Sequence, residues 1–378
     1  MRDKLRIVWN TGIDASGYSS CARSYIRALH QNPKASVKAY ISNVAKNINA
    51  QGLDRDELLF FSRLTTREIP EDHLSVTHSV PERMVLSKRK NILYTVCELQ
   101  VPKIWTNICN NCDLVMTASS FCKEKLVESG VLDDKIKIVP HCHDISIWNE
   151  NVKSLNIENL RGYNFLFVGD FTPRKNGDLL IDNFVRTFAG NKDVSLTIKG
   201  YFNSFKTEDQ KRLLRRIRRC VENSGVGLSQ SPPIFFYGEP ILENLMPRFM
   251  ASFDCLISPH RCEGWGLNLS QGQFLHKPVI STNYSGNLDF MNKDISYLID
   301  IDGFEKVCDE MVMICPNYEG FEWAKINRDS LCDTMRHVFN NQDEARQKGI
   351  EAGKFMKDKF SYGPISDLLV NVLEKFKG

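Results

Sequence analysis

Glu263 sits where a buried strand gives way to a glycine-bearing turn and then to a helix. The apolar run 253–257 reads as the strand. Gly264 and Gly266 flank Trp265 in the turn, and the pattern from 267 to 275 reads as the helix. A helix N-terminus presents unpaired N–H groups and the positive end of its dipole, so an anion is favoured there. The carboxylate at the turn adds an acceptor for hydroxyl groups. Phosphate on one side and hydroxyls on the other describe a sugar carried on a diphosphate. The plainer role for Glu263 is to stabilise the helix dipole, worth about 0.3–1 kcal/mol.

Arg174 and Lys175 supply cations of the kind such a ligand needs. They follow the apolar run 164–168 and a short loop with Pro173, which places them at the carboxyl end of a strand. Ligands in open α/β sheets bind at that end. Near the start of the chain, Gly12 and Gly17 follow the run 5–9 and allow close backbone approach to a diphosphate or an acceptor; a simple turn reads equally well. Glu98 and His141 follow two further strand-like runs, 91–96 and 136–140, and are the remaining candidates for contact with substrate hydroxyls. His141 has a structural, hydrogen-bonded reading of equal weight, and His78 and His260 are weaker candidates of the same kind.

The elements that must position these residues are short apolar runs separated by helical patterns. The first half holds such runs at 5–9, 37–42, 74–77, 91–96, 114–117 and 136–140. The second holds them at 164–168, 195–199, 234–237, 255–258, 278–281 and 297–299. Uninterrupted apolar runs alternating with helices indicate parallel sheets covered on both faces. A polar stretch at 144–163, rich in asparagine, separates the two series and reads as a linker. The expected division is 1–155, 156–360, and a terminal helix in 361–378 able to cross back to the first domain. Its apolar stripe falls at 365, 368, 369, 372, 373 and 376.

With 378 residues, 42% hydrophobic and 25% charged, the chain has globular proportions and length for two domains. A net charge of +3 does not by itself call for nucleic acid. The twelve cysteines are irregularly spaced, and the chain opens directly on a strand with no apolar leader, as expected for reduced thiols in the cytoplasm. No run approaches the roughly 18 apolar residues of a membrane span, so the protein reads as soluble or peripheral at a membrane. Cys109 and Cys112, with Cys122 and the His141–His143 run, have zinc-like types, but the first pair falls at a helix end and reads as core packing. Asp300 and Asp302 read as a structural turn. One helix, 206–221, carries Arg212, Arg215, Arg216 and Arg219 on a single face. It is either a solvated surface or a contact for an anionic acceptor carrier, a membrane surface or nucleic acid.

Glu263, Gly264, Trp265, Gly266 and Leu267 together resemble the GT-B glycosyltransferases, most closely the retaining family four. Its hallmark is a Glu, Gly, aromatic, Gly, Leu run with a second Glu eight positions after the first; here that position holds Gln271. The stretches 117–123, 138–144, 167–177 and 277–287 extend the resemblance in the family's order.

The resemblance implies an α/β protein of two Rossmann-like, doubly wound domains facing across a cleft. Its activity would be a hexosyltransferase-type transfer from a UDP- or GDP-linked sugar to a hydroxyl of a glycan, lipid-linked or other acceptor, with retention of configuration. No metal and no cofactor beyond the donor are expected. By the same resemblance Glu263 holds sugar hydroxyls, Lys175 meets the diphosphate and Gln271 takes the ribose. The family's earlier Arg falls at Asp170, which leaves that cation to Arg174. Two alternatives stand beside this reading: a catalytically silent nucleotide-sugar-binding protein, and a glycosyltransferase that modifies nucleic acid.

Overall fold

A computed structural model describes residues 4–12, 14, 16–41, 53–201 and 206–377. Ser42, at the end of the run 37–42, and Ile13 and Ala15, in the loop after the first strand, lie outside the described residues. The chain divides into two compact units. The first comprises Met1–Ile147, Leu242–Asn244 and Lys357–Gly378, and the second Trp148–Ile241 and Leu245–Met356. The division at 147/148 falls inside the polar stretch 144–163, eight residues before the expected boundary.

In the first unit the chain runs β1 (Leu5–Thr11), α1 (Gly17–Gln31), β2 (Ala35–Ile41), α2 (Arg55–Leu64), β3 (Thr65–Thr66), β4 (Leu74–His78), β5 (Ile92–Tyr94), α3 (Lys103–Asn111), β6 (Leu114–Thr117), α4 (Ser120–Glu128) and β7 (Ile136–Ile138). Its wholly parallel sheet has the order β3-β2-β1-β4-β5-β6-β7.

The second unit runs β8 (Tyr163–Asp170), α5 (Gly177–Thr187), β9 (Val194–Tyr201), α6 (Thr207–Asn223), β10 (Ile234–Tyr237), α7 (Met246–Ala251), β11 (Cys255–Ser258), α8 (Leu267–Phe274), β12 (Val279–Thr282) and β13 (Tyr297–Ile299). There follow β14 (Ile301–Lys306), α9 (Asp309–Ile314), β15 (Glu322–Ile326), α10 (Arg328–Asn340) and α11 (Gln342–Phe360), whose last residues, from Lys357, belong to the first unit. Its main sheet, also parallel, has the order β10-β9-β8-β11-β12-β13. Phe165, Leu166 and Phe167 are consecutive and all buried, as a central strand covered on both faces requires.

α12 (Tyr362–Leu373) returns to the first unit and packs against α1. Ile365, Leu369, Val370 and Leu373 are buried, and Asn32 Nδ2 on the α1 side donates to Ser366 Oγ at 3.0 Å. The antiparallel β14–β15 pair is not evident as an apolar run. Most of β14 is exposed, so hydrophobic patterning carries no signal for it.

Candidate functional site at the second switch point

Each sheet changes winding direction once, between β1 and β4 in the first unit and between β8 and β11 in the second. The loops leaving the paired strands diverge there and open a crevice. The second crevice gathers the residues read as a phosphate and sugar site. Gly169, the penultimate residue of β8, has φ +154°, a conformation that disfavours a side chain, and the Lys175 chain lies against it. Lys175 N and Asn176 N both donate to Thr172 O, at 3.1 and 3.3 Å, which folds the loop back on itself. Asn176 then adopts φ 61° and opens α5.

The β8 and β11 loops are sewn together. Arg261 N donates to Arg174 O at 2.8 Å, Arg174 Nη1 to Cys262 O at 3.0 Å, and Asn176 Nδ2 to Pro259 O at 3.1 Å. Glu263 is thereby fixed beside both cations: Lys175 Nζ contacts its Oε1, and Arg174 Nη1 lies 3.2 Å from the same atom. From the far side, Glu263 N donates to Ser285 Oγ at 2.9 Å and Gly286 N donates to Glu263 O at 2.9 Å. Ser285 holds φ 85°, a strained value for a residue with a side chain, of the sort that clusters at functional sites.

Glu263 is only 6% exposed. Burial pushes its carboxyl pKa up, but Lys175 and Arg174 outweigh that and hold it at about 2. It is therefore ionised at neutral pH and accepts hydrogen bonds only. Gly266, with φ 92°, precedes α8; a Cβ there would lie 2.8 Å from Leu269 Cδ1. Asn268 Nδ2 donates to Val168 O at 3.0 Å and ties the first turn of α8 to β8. A small recess is lined by Lys175, Ser258, Glu263, Gly266 and Asn268. Trp265 points into the protein and stacks on Phe290 at 4.6 Å between ring centroids, so its part is packing. Gly264 is buried, Leu267 begins α8, and Gln271 is buried one turn on, its amide without a hydrogen bond among the described residues.

Sequence reading gave His260 little weight and gave Ser285 and Asn287 no role. His260 is fully buried and contacts Ser281 Oγ at 3.4 Å, Asn287 Oδ1 at 3.2 Å and Ser285 Oγ at 3.3 Å. Burial holds its pKa down to about 4, against the opposing pull of Glu263, so the ring is neutral. It braces the β12 loop that holds Glu263. The only signal for this network was the 277–287 stretch, which names the loop and not the contacts.

The first crevice has other contents. Trp9 Nε1 donates to His78 Nδ1 at 3.2 Å, His78 stacks on Tyr94 at 4.4 Å, and Tyr25 and Tyr94 share a hydroxyl contact of 2.7 Å. His141 joins this group, its Nδ1 3.0 Å from Cys21 Sγ, and burial holds its pKa well below the usual value. Glu98 is half-buried in the segment after β5. Gly12 is tight against Ser19 Oγ, whereas a Cβ at Gly17 would meet open space, because Gly17 is the first residue of α1.

Cys109 and Cys112 pack in the apolar core with Leu93, Val115 and Leu126. Among the described residues no three His, Cys, Asp or Glu side chains are grouped to hold a metal ion, and no helix is long and apolar enough to cross a membrane.

Residues 162–315 match the family model described as glycosyl transferases group 1. An uncharacterized glycosyltransferase of Methanocaldococcus jannaschii is 27% identical over 253 residues, covering 67% of this chain. The matched part spans little more than half of that relative, 56% of its length. Among solved structures, Anabaena HepE in complex with UDP and glucose superposes with a TM-score of 0.70 at 11% identity, over 98% of this chain and 100% of that one. Sucrose-phosphate synthase from Thermosynechococcus elongatus gives 0.66 at 14% identity, over 98% and 99%. At such identities the likeness speaks to fold. Residues 162–315 are thus similar to the group 1 glycosyl transferases, and the two parallel-sheet α/β units have the GT-B fold.

Proposed function

We propose that the protein transfers a sugar from a nucleotide diphosphate sugar to an acceptor hydroxyl, with retention of configuration and without a metal ion. One observation carries the reading: two cations, Arg174 and Lys175, bear on one buried carboxylate, Glu263, beside the N-terminus of α8. A buried surplus of positive charge is costly by itself and is relieved by an anion. A diphosphate seated there would draw on Lys175, Arg174 and the free N–H groups of α8, all aimed where charge grows as the leaving group departs. Glu263, acceptor-only, would orient the sugar hydroxyls. The unengaged amide of Gln271 is suited to the ribose diol, with less strength than a carboxylate would give.

HepE has been crystallised with UDP-glucose, which makes UDP the first nucleotide to try here, with GDP beside it. A thermal-shift screen of nucleotide diphosphates and their sugars is the direct test, since a ligand of the folded state raises its apparent stability. A UDP- or GDP-sugar should raise the Tm and support transfer that survives EDTA, and Glu263→Ala should abolish most of that transfer. Full activity in Glu263→Ala would remove the site assignment, and loss with EDTA would remove the metal-free mechanism. Tight nucleotide-sugar binding with no transfer to any acceptor would favour a silent binding protein instead.

A further inference from the structure

The arginine-bearing face of α6 forms one wall of a groove in the second unit. α5, the turn 171–177 and the starts of α9 and α10 complete it, enclosing about 980 Å³. Arg186, Arg212, Arg215, Arg216, Arg219, Arg261 and Arg328 line it, against three carboxylates and no lysine. The carboxylates are already engaged. Arg216 bridges Asp178 and Glu310, and Asp182 meets Arg186 at 3.0 Å and Arg328 at 3.3 Å. Arg215 and Arg219 are exposed and make no ion pair among the described residues.

We propose that this groove is a second anion site, separate from the Lys175–Glu263 pair, and that it takes a soluble ligand bearing clustered phosphate groups. The all-arginine lining points to phosphate, because the planar guanidinium offers paired donors that match phosphate oxygens where an ammonium offers a point charge. The form of the groove points to a compact ligand. A bilayer meets convex or flat surfaces, whereas this groove, lined by the buried Leu213 together with Arg216, has a volume of the size that takes small molecules. Single-stranded nucleic acid would need an aromatic face for its bases. The one aromatic ring in the lining, Phe171, is 1% exposed and already faces Arg216. Arg216, held from both sides, fixes the walls and leaves Arg215 and Arg219 to the ligand.

The groove and the donor site share one turn. Thr172, Pro173 and Asn176 line the groove, while Arg174 and Lys175 between them turn to Glu263. A test must therefore separate the two sites. Inorganic tripolyphosphate is titrated calorimetrically, at low salt, into the full chain, into Arg215→Ala/Arg219→Ala and into Lys175→Ala. The expected result is a binding event that weakens at least tenfold in the double arginine variant and persists in Lys175→Ala.

Equal affinity in the wild type and the arginine variant, or no binding at all, overturns the proposal. So does loss in Lys175→Ala with full retention in the arginine variant, which assigns the anion to the donor site. Sedimentation with phosphatidylserine vesicles that depends on Arg215 and Arg219, without tripolyphosphate binding, overturns it in favour of a membrane surface. The arginine variant leaves Glu263 and Lys175 intact, so its failure leaves the proposed sugar transfer standing, and the reverse also holds.

Discussion

The two units share a sheet order over six strands, yet their switch points are furnished in opposite ways. In the second unit the crevice holds Lys175, Arg174 and Glu263, two cations that keep one buried carboxylate ionised. In the first it holds Trp9, Tyr25, His78, Tyr94 and His141, a neutral aromatic set joined by the Trp9–His78 and Tyr25–Tyr94 contacts and tied through His141 to Cys21. Topology supplies the opening in both cases. Residue type decides whether the opening carries charged groups or a neutral aromatic set. Fold and function are separable here at the level of a single loop.

The sharpest way to break the comparison is a pair of substitutions. Lys175→Ala should lower turnover by about 10²–10³-fold, the usual loss when a group stabilising a developing anion is removed, and should change stability little because Arg174 still faces Glu263. His78→Ala should do the reverse. It removes a buried ring from between Trp9 and Tyr94 and should cost about 2–4 kcal/mol of stability while leaving nucleotide affinity unchanged. Thermal unfolding and a nucleotide titration on both variants decide it. If the two variants behave alike, the contrast between the crevices is wrong.

Acid should separate the units next. Burial holds His78 and His143 down to about 3, and His141 well below its usual value, all in the first unit; His260, at about 4, is their counterpart in the second. Above roughly pH 6.5 each is neutral in both folded and unfolded chains and contributes no pH dependence. As pH falls below that, the unfolded chain binds protons that the folded imidazoles refuse. Stability then drops by up to about 1.4 kcal/mol per pH unit for each group, down to its folded pKa. Glu263 has its unfolded pKa near 4.5 and loses its contribution only between there and about 2. Hydrogen exchange from pH 7 to 4 should show the first unit opening before the second; the opposite order would contradict this account.

The smallest expected effect is at Gln271. Gln271→Glu places a charged acceptor eight positions beyond Glu263 and should tighten UDP binding by about 2–10-fold, the gain from charge assistance in one hydrogen bond. Weaker binding would place the ribose elsewhere.

Most of this architecture is legible in the sequence because parallel strands buried on both faces are uninterrupted apolar runs. The runs 114–117, 234–237, 255–258 and 297–299 coincide with strands to the residue. Thr65–Thr66 is too short to show a period, and β14 is too exposed to show a hydrophobic one. At the site, Glu263 and Lys175 are legible from their place after strands, but their ion pair is not, since it joins loops 88 positions apart. The same limit hid the part of His141: its partner Cys21 lies 120 residues away, and the local sequence cannot tell a ring that faces a ligand from one that faces a distant thiol.

The packing of α12 on α1 sets a timetable for synthesis. The first unit holds the beginning of the chain, but its buried face on α1 is covered by residues 362–373, made after the whole second unit. At translation rates of about 5–20 residues per second, that face waits on the order of tens of seconds for its cover. A nascent chain must keep it from other apolar surfaces for that time. A nonsense mutation near codon 360 would therefore wound a helix made about 330 residues earlier.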